Sequence, residues 1–230
     1  MRMWAIVPAA GIGRRFKSMI PKQYLNICGA PVLRHSLNCL LKFEEFVKII
    51  VVLHPEDKYW GDLDIDSSRI ETVIGGDERA DSVLNALDSL ARVAEGNDWI
   101  AVHDAVRPCL SYQDLQKLIS ELQNEKVGGL LASPIVDTLK KVNKCREVMK
   151  TVDRDQIWSA MTPQMFRYDL LKEAIIRQKK LKTPATDEAG AIEALGCKPK
   201  IVQGEKTNIK ITDATDLALV EQIISSQERS

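Results

Sequence analysis

The chain has 230 residues, 45% of them hydrophobic, which is ample for a packed core in one large or two small domains and excludes a disordered chain. Its 32 basic and 32 acidic side chains cancel, so no global field exists to hold nucleic acid or an anionic membrane, and any anion site must be local. Five cysteines, at 28, 39, 109, 145 and 197, are odd in number, form no CxxC pair and have no ligand-like pairing with the three histidines; they read as reduced thiols of a cytosolic protein.

Met1 is followed almost at once by the first predicted strand, leaving no room for a signal peptide, and no apolar run reaches membrane length. The expectation is a soluble, cytoplasmic protein. The apolar run from Trp4 predicts a buried strand that empties into Pro8-Ala9-Ala10-Gly11-Ile12-Gly13-Arg14-Arg15-Phe16, with Pro21-Lys22-Gln23 following. Two glycines let backbone N–H groups approach an anion, and Arg14, Arg15 and Lys22 add full charge in the same place. Phosphate is the anion this combination suits. A Rossmann fingerprint would need Gly or Ala where Phe16 stands, and the Gly-Lys-Ser/Thr of a Walker loop is absent.

Pro31 opens a helical spacing (Val32, Leu33, Ser36, Leu37, Leu40, Leu41), and the continuous apolar run Ile49–Leu53 predicts the next strand. The same alternation recurs as a doubly buried strand over Ile70–Ile74, a helix through Val83, Leu84, Leu87 and Leu90, and a strand over Trp99–His103. A helix through Leu115, Leu118, Ile119 and Leu122 leads to a strand at Gly128–Ala132. From Pro134 to about Trp158 the helical period disappears. Segments 135–142 and 147–152 predict a hairpin around a polar turn at Asn143-Lys144, an arm of about 134–157 that packs on its own domain or on a second subunit. Helices are predicted over Tyr168–Lys182, from Thr186-Asp187-Glu188 through Leu195, and after Asp213 and Asp216; a short strand covers Lys200–Val202. The fold class is α/β, a mostly parallel twisted sheet flanked by helices, in a single domain over 1–230.

Polar residues gather where the predicted strands end, the place where open parallel sheets bind ligands. Gly75-Gly76-Asp77-Glu78-Arg79-Ala80-Asp81-Ser82 opens a helix with free N–H groups and side chains suited to a base or sugar, and also reads as an ordinary capped helix start. In His103-Asp104-Ala105-Val106-Arg107-Pro108, Asp104 offers one oxygen to Mg²⁺, phosphates and waters completing the octahedron. His103 reads as a satisfied structural histidine. No Ser/His/Asp or Cys/His set suggests a covalent intermediate.

These stretches, with Thr162-Pro163-Gln164, Thr186-Asp187-Glu188-Ala189 and Asn208-Ile209-Lys210-Ile211-Thr212, occur in order from residue 4 to about 224. Together they resemble the 2-C-methyl-D-erythritol 4-phosphate cytidylyltransferases of the non-mevalonate isoprenoid pathway. The resemblance implies a Rossmann-like sheet and a homodimer whose arm reaches the neighbouring active site. It implies catalytic roles at the CTP phosphates for Arg15 and Lys22, and nucleotide binding by Ala9, Ala10, Gly11, Gly13, Gly76, Asp77, Arg79 and Ser82. Asp104 would hold Mg²⁺. Thr138 and Arg154 on the arm would reach the methylerythritol phosphate of the other subunit, and Arg107, Thr162, Thr186 and Lys210 would lie at that acceptor pocket. An acceptor phosphate oxygen then attacks the α-phosphorus of CTP directly, with no base required because the phosphate is already ionised. A cytidylyltransferase for a pentitol phosphate such as ribitol 5-phosphate, or a non-catalytic nucleotide-binding module, are the competing readings; Pro8-Ala9-Ala10-Gly11 and Thr186-Asp187-Glu188-Ala189-Gly190-Ala191 favour the isoprenoid enzyme over the pentitol one. The chain's end after the last helix suggests no fused cyclase domain.

Overall fold

The computed structural model describes residues 2–11, 20–65, 68–181 and 185–227. In chain order they form β1 (Met3–Pro8), β2 (Asn26–Ile27), β3 (Ala30–Pro31), α1 (Val32–Leu41), β4 (Phe46–Leu53), β5 (Ile70–Ile74), α2 (Arg79–Ser89), β6 (Trp99–Val102) and α3 (Tyr112–Leu122). Then follow β7 (Gly128–Pro134), β8 (Leu139–Val142), β9 (Val148–Val152), β10 (Trp158–Arg167), α4 (Tyr168–Leu181), α5 (Glu188–Glu193), β11 (Lys200–Gln203) and α6 (Ala214–Gln227).

The central sheet has the order β11-β7-β10-β6-β1-β4-β5. Its pairings are parallel except those of β10, which runs antiparallel to both β6 and β7. Alternation along β1 explains the layers. Met3, Ala5 and Val7 join one core with Leu33, Leu37 and Leu40 of α1 and Leu115, Leu118 and Leu122 of α3. Trp4 and Ile6 join the opposite core with Val83, Ala86 and Leu87 of α2, Leu171 and Ile175 of α4, and Ile192 of α5. A strand covered on both faces reads as an unbroken apolar run, which is why β1 and β4 are legible. Truncating a fully buried contact such as Leu37 to Ala costs about 2–5 kcal/mol. A third cluster seats α6, through Val220 and Ile224, on Ile27, Val106 and Ile211.

One expectation changes, and two features are new. The run Ile70–Ile74 is an edge strand, not a doubly buried one: it pairs only with β4, and Ile74 is 54% exposed. The two-residue strands β2 and β3 form a small hairpin before α1 that the sequence pattern does not announce. Most consequential, Trp158–Arg167 is a long strand inside the sheet. Its register with β7 shifts between Ala160 and Gln164, so Met161, Thr162 and Pro163 leave the ladder, and the Thr162-Pro163 peptide is cis.

The hairpin at 134–157 forms as expected. β8 and β9 pair only with each other, around a turn in which the Asn143 side chain accepts from the N–H groups of Cys145 and Glu147. Val142, Val148 and Met149 on it are exposed. The five cysteines are free thiols. Among the described residues, no helix is long and apolar enough to cross a membrane.

Candidate active site

The chain leaves β1 toward β4 and β5 on one side and returns through β6 on the other. Loops at the carboxyl ends of β1 and β6 therefore diverge, and a crevice opens between them, as in other open α/β sheets. An open cleft lies there. Pro8 to Gly11 line one wall, with Gln23 behind it, Gly76 to Arg79 with Ser82 the second, and Asp104 to Val106 the floor; Lys22 and Lys210 close the rim.

Small residues permit the tight approach of the first two loops. A Cβ on Gly75 would stand 2.6 Å from that of Ala10 and 2.8 Å from Ser82 Oγ, and one on Gly76 would stand 2.4 Å from Asp81 Cβ. Ser82 Oγ accepts from the Gly76 N–H at 3.3 Å, and Asp81 accepts from the Glu78 N–H at 3.0 Å, closing a capping box at the start of α2. At Gly11 no atom of the described residues lies within 4 Å of where a Cβ would stand. Gln23, 4% exposed, holds the loop from behind: its amide donates to the carbonyls of Ala9 (2.6 Å) and Gly11 (3.0 Å). Lys22 Nζ donates to the Ile211 carbonyl at 3.0 Å, tying the rim to the segment before α6. Gly13 and Arg15 lie outside the described residues.

On the floor, Asp104 sits among cations from three elements. Lys210 Nζ is 2.7 Å from Oδ2, Arg107 Nε 3.6 Å from the same oxygen, and Arg79 Nη2 3.2 Å from Oδ1. Burial alone would raise the Asp104 pKa; Arg79, Lys210 and Arg107 outweigh it and hold the carboxyl well below the usual range, so it is ionised. Arg79 is gripped in turn by Glu188 at both Nη atoms, with Nη2 to Oε2 at 3.0 Å. Burial opposes the charge of Arg79, but Glu188 and Asp104 together raise its pKa.

A hydrogen-bond chain fixes this floor from beneath. The carbonyl of Arg107 can only accept, so the proton at 3.0 Å belongs to His103 Nε2. His103 Nδ1 then accepts from the Thr162 hydroxyl at 3.1 Å, and Thr162 Oγ1 accepts the Asp104 N–H at 3.0 Å. His103 is fully buried, and burial pushes its pKa down to about 4 despite Asp104 nearby. The segment carrying Lys210 is fastened to the same point. Asn208 Nδ2 donates to the Thr162 carbonyl at 2.8 Å, Arg107 Nη1 to the Asn208 carbonyl at 2.6 Å, and the Glu205 N–H to Asp114 at 2.8 Å.

Of the residues singled out in the sequence, Ala9, Ala10, Gly11, Lys22, Gly76, Asp77, Arg79, Ser82, Asp104 and Lys210 are brought to one cleft. The other described ones are placed elsewhere. Thr162 is 4% exposed with its hydroxyl engaged by Asp104 and His103, behind the floor and not on the wall. Arg107 is largely covered, bound to Asp104 and Asn208. Thr186 immediately precedes Asp187, the N-cap of α5. Thr138 and Arg154 are exposed on the arm, where Arg154 donates to the Val136 carbonyl, and neither lines the cleft of its own chain. Sequence reasoning assigned no role to Gln23, Glu188, Gln164 or Asn208. A Gln or Glu beside a glycine loop or helix start carries no mark of burial, so only the fold reveals them.

For a divalent cation, Asp104 is the carboxylate on the floor of the cleft; Asp77 and Glu78 also line it. Among the described residues no group of three His, Cys, Asp or Glu could hold a metal. Asp104 nevertheless fits a shared site: it is ionised, faces the cleft, and Oδ1 accepts from Arg79 alone among the contacts described, leaving a lone pair for a cation ligated otherwise by phosphates and water.

The model of the 2-C-methyl-D-erythritol 4-phosphate cytidylyltransferase (IspD) family matches residues 3–226. A protein of that name from Dechloromonas aromatica (strain RCB) is 47% identical over 230 residues, 99% of each chain, and one from Pseudomonas fluorescens (strain Pf0-1) is 47% identical over 221, covering 95% and 94%. The crystal structure of the Francisella tularensis cytidylyltransferase superposes with a TM-score of 0.84 at 35% identity over 97% of this chain and 100% of that one. A crystal structure of 4-diphosphocytidyl-2C-methyl-D-erythritol synthase gives 0.85 at 34% identity, covering 97% and 98%. With likeness at this level along its whole length, the chain belongs to the 2-C-methyl-D-erythritol 4-phosphate cytidylyltransferase family.

Proposed function

We propose that this protein transfers the cytidylyl group of CTP to 2-C-methyl-D-erythritol 4-phosphate. The observation that carries the reading is the ionised Asp104 set among Arg79, Arg107 and Lys210 beneath a small-residue loop, in a chain that matches the family from end to end. A phosphate oxygen of the acceptor attacks the α-phosphorus in line; the bond from that phosphorus to the α,β-bridging oxygen breaks, and pyrophosphate leaves with the electron pair. The attacking oxygen is already ionised, so no base is needed, and His103 stays neutral and structural. Catalysis is then positioning plus fixed positive charge.

The backbone of Ala9 to Gly11 and Gly76, with Asp77 and Ser82, would receive the nucleotide, and Lys22 and Lys210 on the rim would meet phosphate oxygens. Arg15 would join Lys22 at the triphosphate. Asp104 would hold Mg²⁺, which when bound draws the phosphates together and offsets their charge. We assign the hairpin arm to a homodimer, Thr138 and Arg154 serving the acceptor pocket of the partner, because a two-stranded hairpin with exposed apolar residues is marginal alone. A cytoplasmic location goes with a polar-substrate enzyme of this kind.

The deciding experiment is pyrophosphate release from CTP with Mg²⁺, comparing methylerythritol phosphate with ribitol 5-phosphate. Turnover with the first alone is expected. Preference for ribitol phosphate would reassign the acceptor, and no release with either would leave a nucleotide-binding module.

A further inference from the structure

Glu188 has no place in the reaction just outlined, yet it is 3% exposed in the first turn of α5. A carboxylate so buried needs a partner, and Arg79 supplies it through both Nη atoms. The same Nη2 reaches Asp104 Oδ1 at 3.2 Å. One guanidinium thus bridges two carboxylates, one behind the wall and one facing the cleft. The rear carboxylate is itself anchored: Gln164 Oε1 accepts the Ala189 N–H at 2.8 Å, and its Nε2 donates to the N-cap Asp187 at 2.9 Å. The first turn of α5 is held to the antiparallel strand β10 and cannot drift from Arg79.

We infer that Glu188 is a positioning residue that shares the Arg79 guanidinium, limiting its hold on Asp104 Oδ1 to the single Nη2 contact and keeping it from becoming a further phosphate cation. The inference rests on the reading of Asp104 as the oxygen offered to a divalent cation. Charge explains the direction. Arg79, Arg107 and Lys210 face Asp104 and Glu188, three cations against two carboxylates. Without the charge of Glu188, Asp104 is the remaining carboxylate for Arg79, and the guanidinium settles on the oxygen a metal needs. A metal-free triphosphate, by contrast, meets one more uncompensated cation. The two effects have opposite signs, which separates them from damage to the fold, since damage weakens both kinds of binding.

The test is Glu188→Gln in the full chain, read by calorimetric binding of CTP with the metal chelated and by the Mg²⁺ concentration giving half-maximal pyrophosphate release. Metal-free CTP should bind about ten-fold tighter, the effect of one unit charge roughly 10 Å away at an effective dielectric near 20. The Mg²⁺ midpoint should rise by about ten-fold for the same reason. Unchanged values in both, or weaker metal-free binding, overturn the inference. Should Glu188→Gln fail to fold, Arg79→Met joined to Glu188→Met removes the two charges together; the midpoint must then stay at or below that of the unaltered protein, and a raised midpoint is fatal. If the unaltered protein releases no pyrophosphate, the proposed function falls, while metal-free CTP binding still decides the role of Glu188.

Discussion

Lowering the pH should unfasten the floor of the cleft at one identifiable group. His103 is fully buried and neutral, its pKa pushed down to about 4 from 6.5. In the unfolded chain it takes up a proton near pH 6.5, so the folded state holds fewer protons between those values. Its contribution is therefore intact above pH 6.5 and lost as the pH falls toward 4. At about 1.36 kcal/mol per pKa unit, the loss reaches about 2.5 kcal/mol by about pH 4.5. Asp104 acts in a different window: its lowered pKa confers stability that goes only as the pH drops through and below 3.8. Urea unfolding of the unaltered protein and of His103→Gln at about pH 7.5 and about pH 4.5 isolates the histidine's contribution. The variant should be about 1–3 kcal/mol less stable at the higher pH, through an imperfectly replaced buried hydrogen bond, but should lose about 2 kcal/mol less on acidification. Equal losses in both proteins would refute the argument that His103 is the buried neutral group governing this range.

Three further expectations follow from the same geometry. Thr162→Val leaves the Asp104 N–H and His103 Nδ1 without their partner, and should cost about 2–5 kcal/mol in urea unfolding, whereas Thr162→Ser should stay within about 1 kcal/mol. Lys22→Ala should lower the turnover number by about 10² or more, as loss of a strong electrostatic donor does elsewhere; a near-normal turnover with only a raised Michaelis constant would mean that Lys22 binds without assisting the reaction. If the arm serves the neighbouring cleft, an Arg154→Ala variant mixed with a Lys22→Ala variant should regain activity in hybrid dimers, and verified heterodimers without rescue would place Arg154 outside the neighbour's site.

What could be read from the sequence follows burial symmetry. β1, β4 and β6 are covered on both faces and announce themselves as apolar runs, and α1 and α3 show their buried stripes directly. β10 stayed hidden because a proline in the middle of Trp158–Arg167 argues against an interior strand; the register shift at 161–163 removes the conflict by taking Pro163 out of the ladder. β5 misled in the other direction, since β-branched residues suit an edge as well as an interior. In the cleft, the residues that touch open space were legible by type: glycines, a lysine, a lone aspartate after a strand. Gln23, Glu188 and Asn208 were not, because their part depends on what the fold packs against them.

The antiparallel strand that sequence periodicity conceals is also what joins the two halves of the site. Thr162, where β10 leaves its ladder, carries the Asp104 backbone on its hydroxyl and the Asn208 amide on its carbonyl, and Gln164, two residues on, carries the start of α5 and with it Glu188. One short stretch therefore sets the floor, the rim segment bearing Lys210 and the counter-ion of Arg79. A cationic cleft without its anionic ligand is an electrostatic liability unless fixed carboxylates balance it. Asp104 and Glu188 provide that balance from opposite sides of one guanidinium, so that the Arg79 charge is already engaged before any phosphate arrives and the rim lysines, Lys22 and Lys210, are the cations left to act on a transition state.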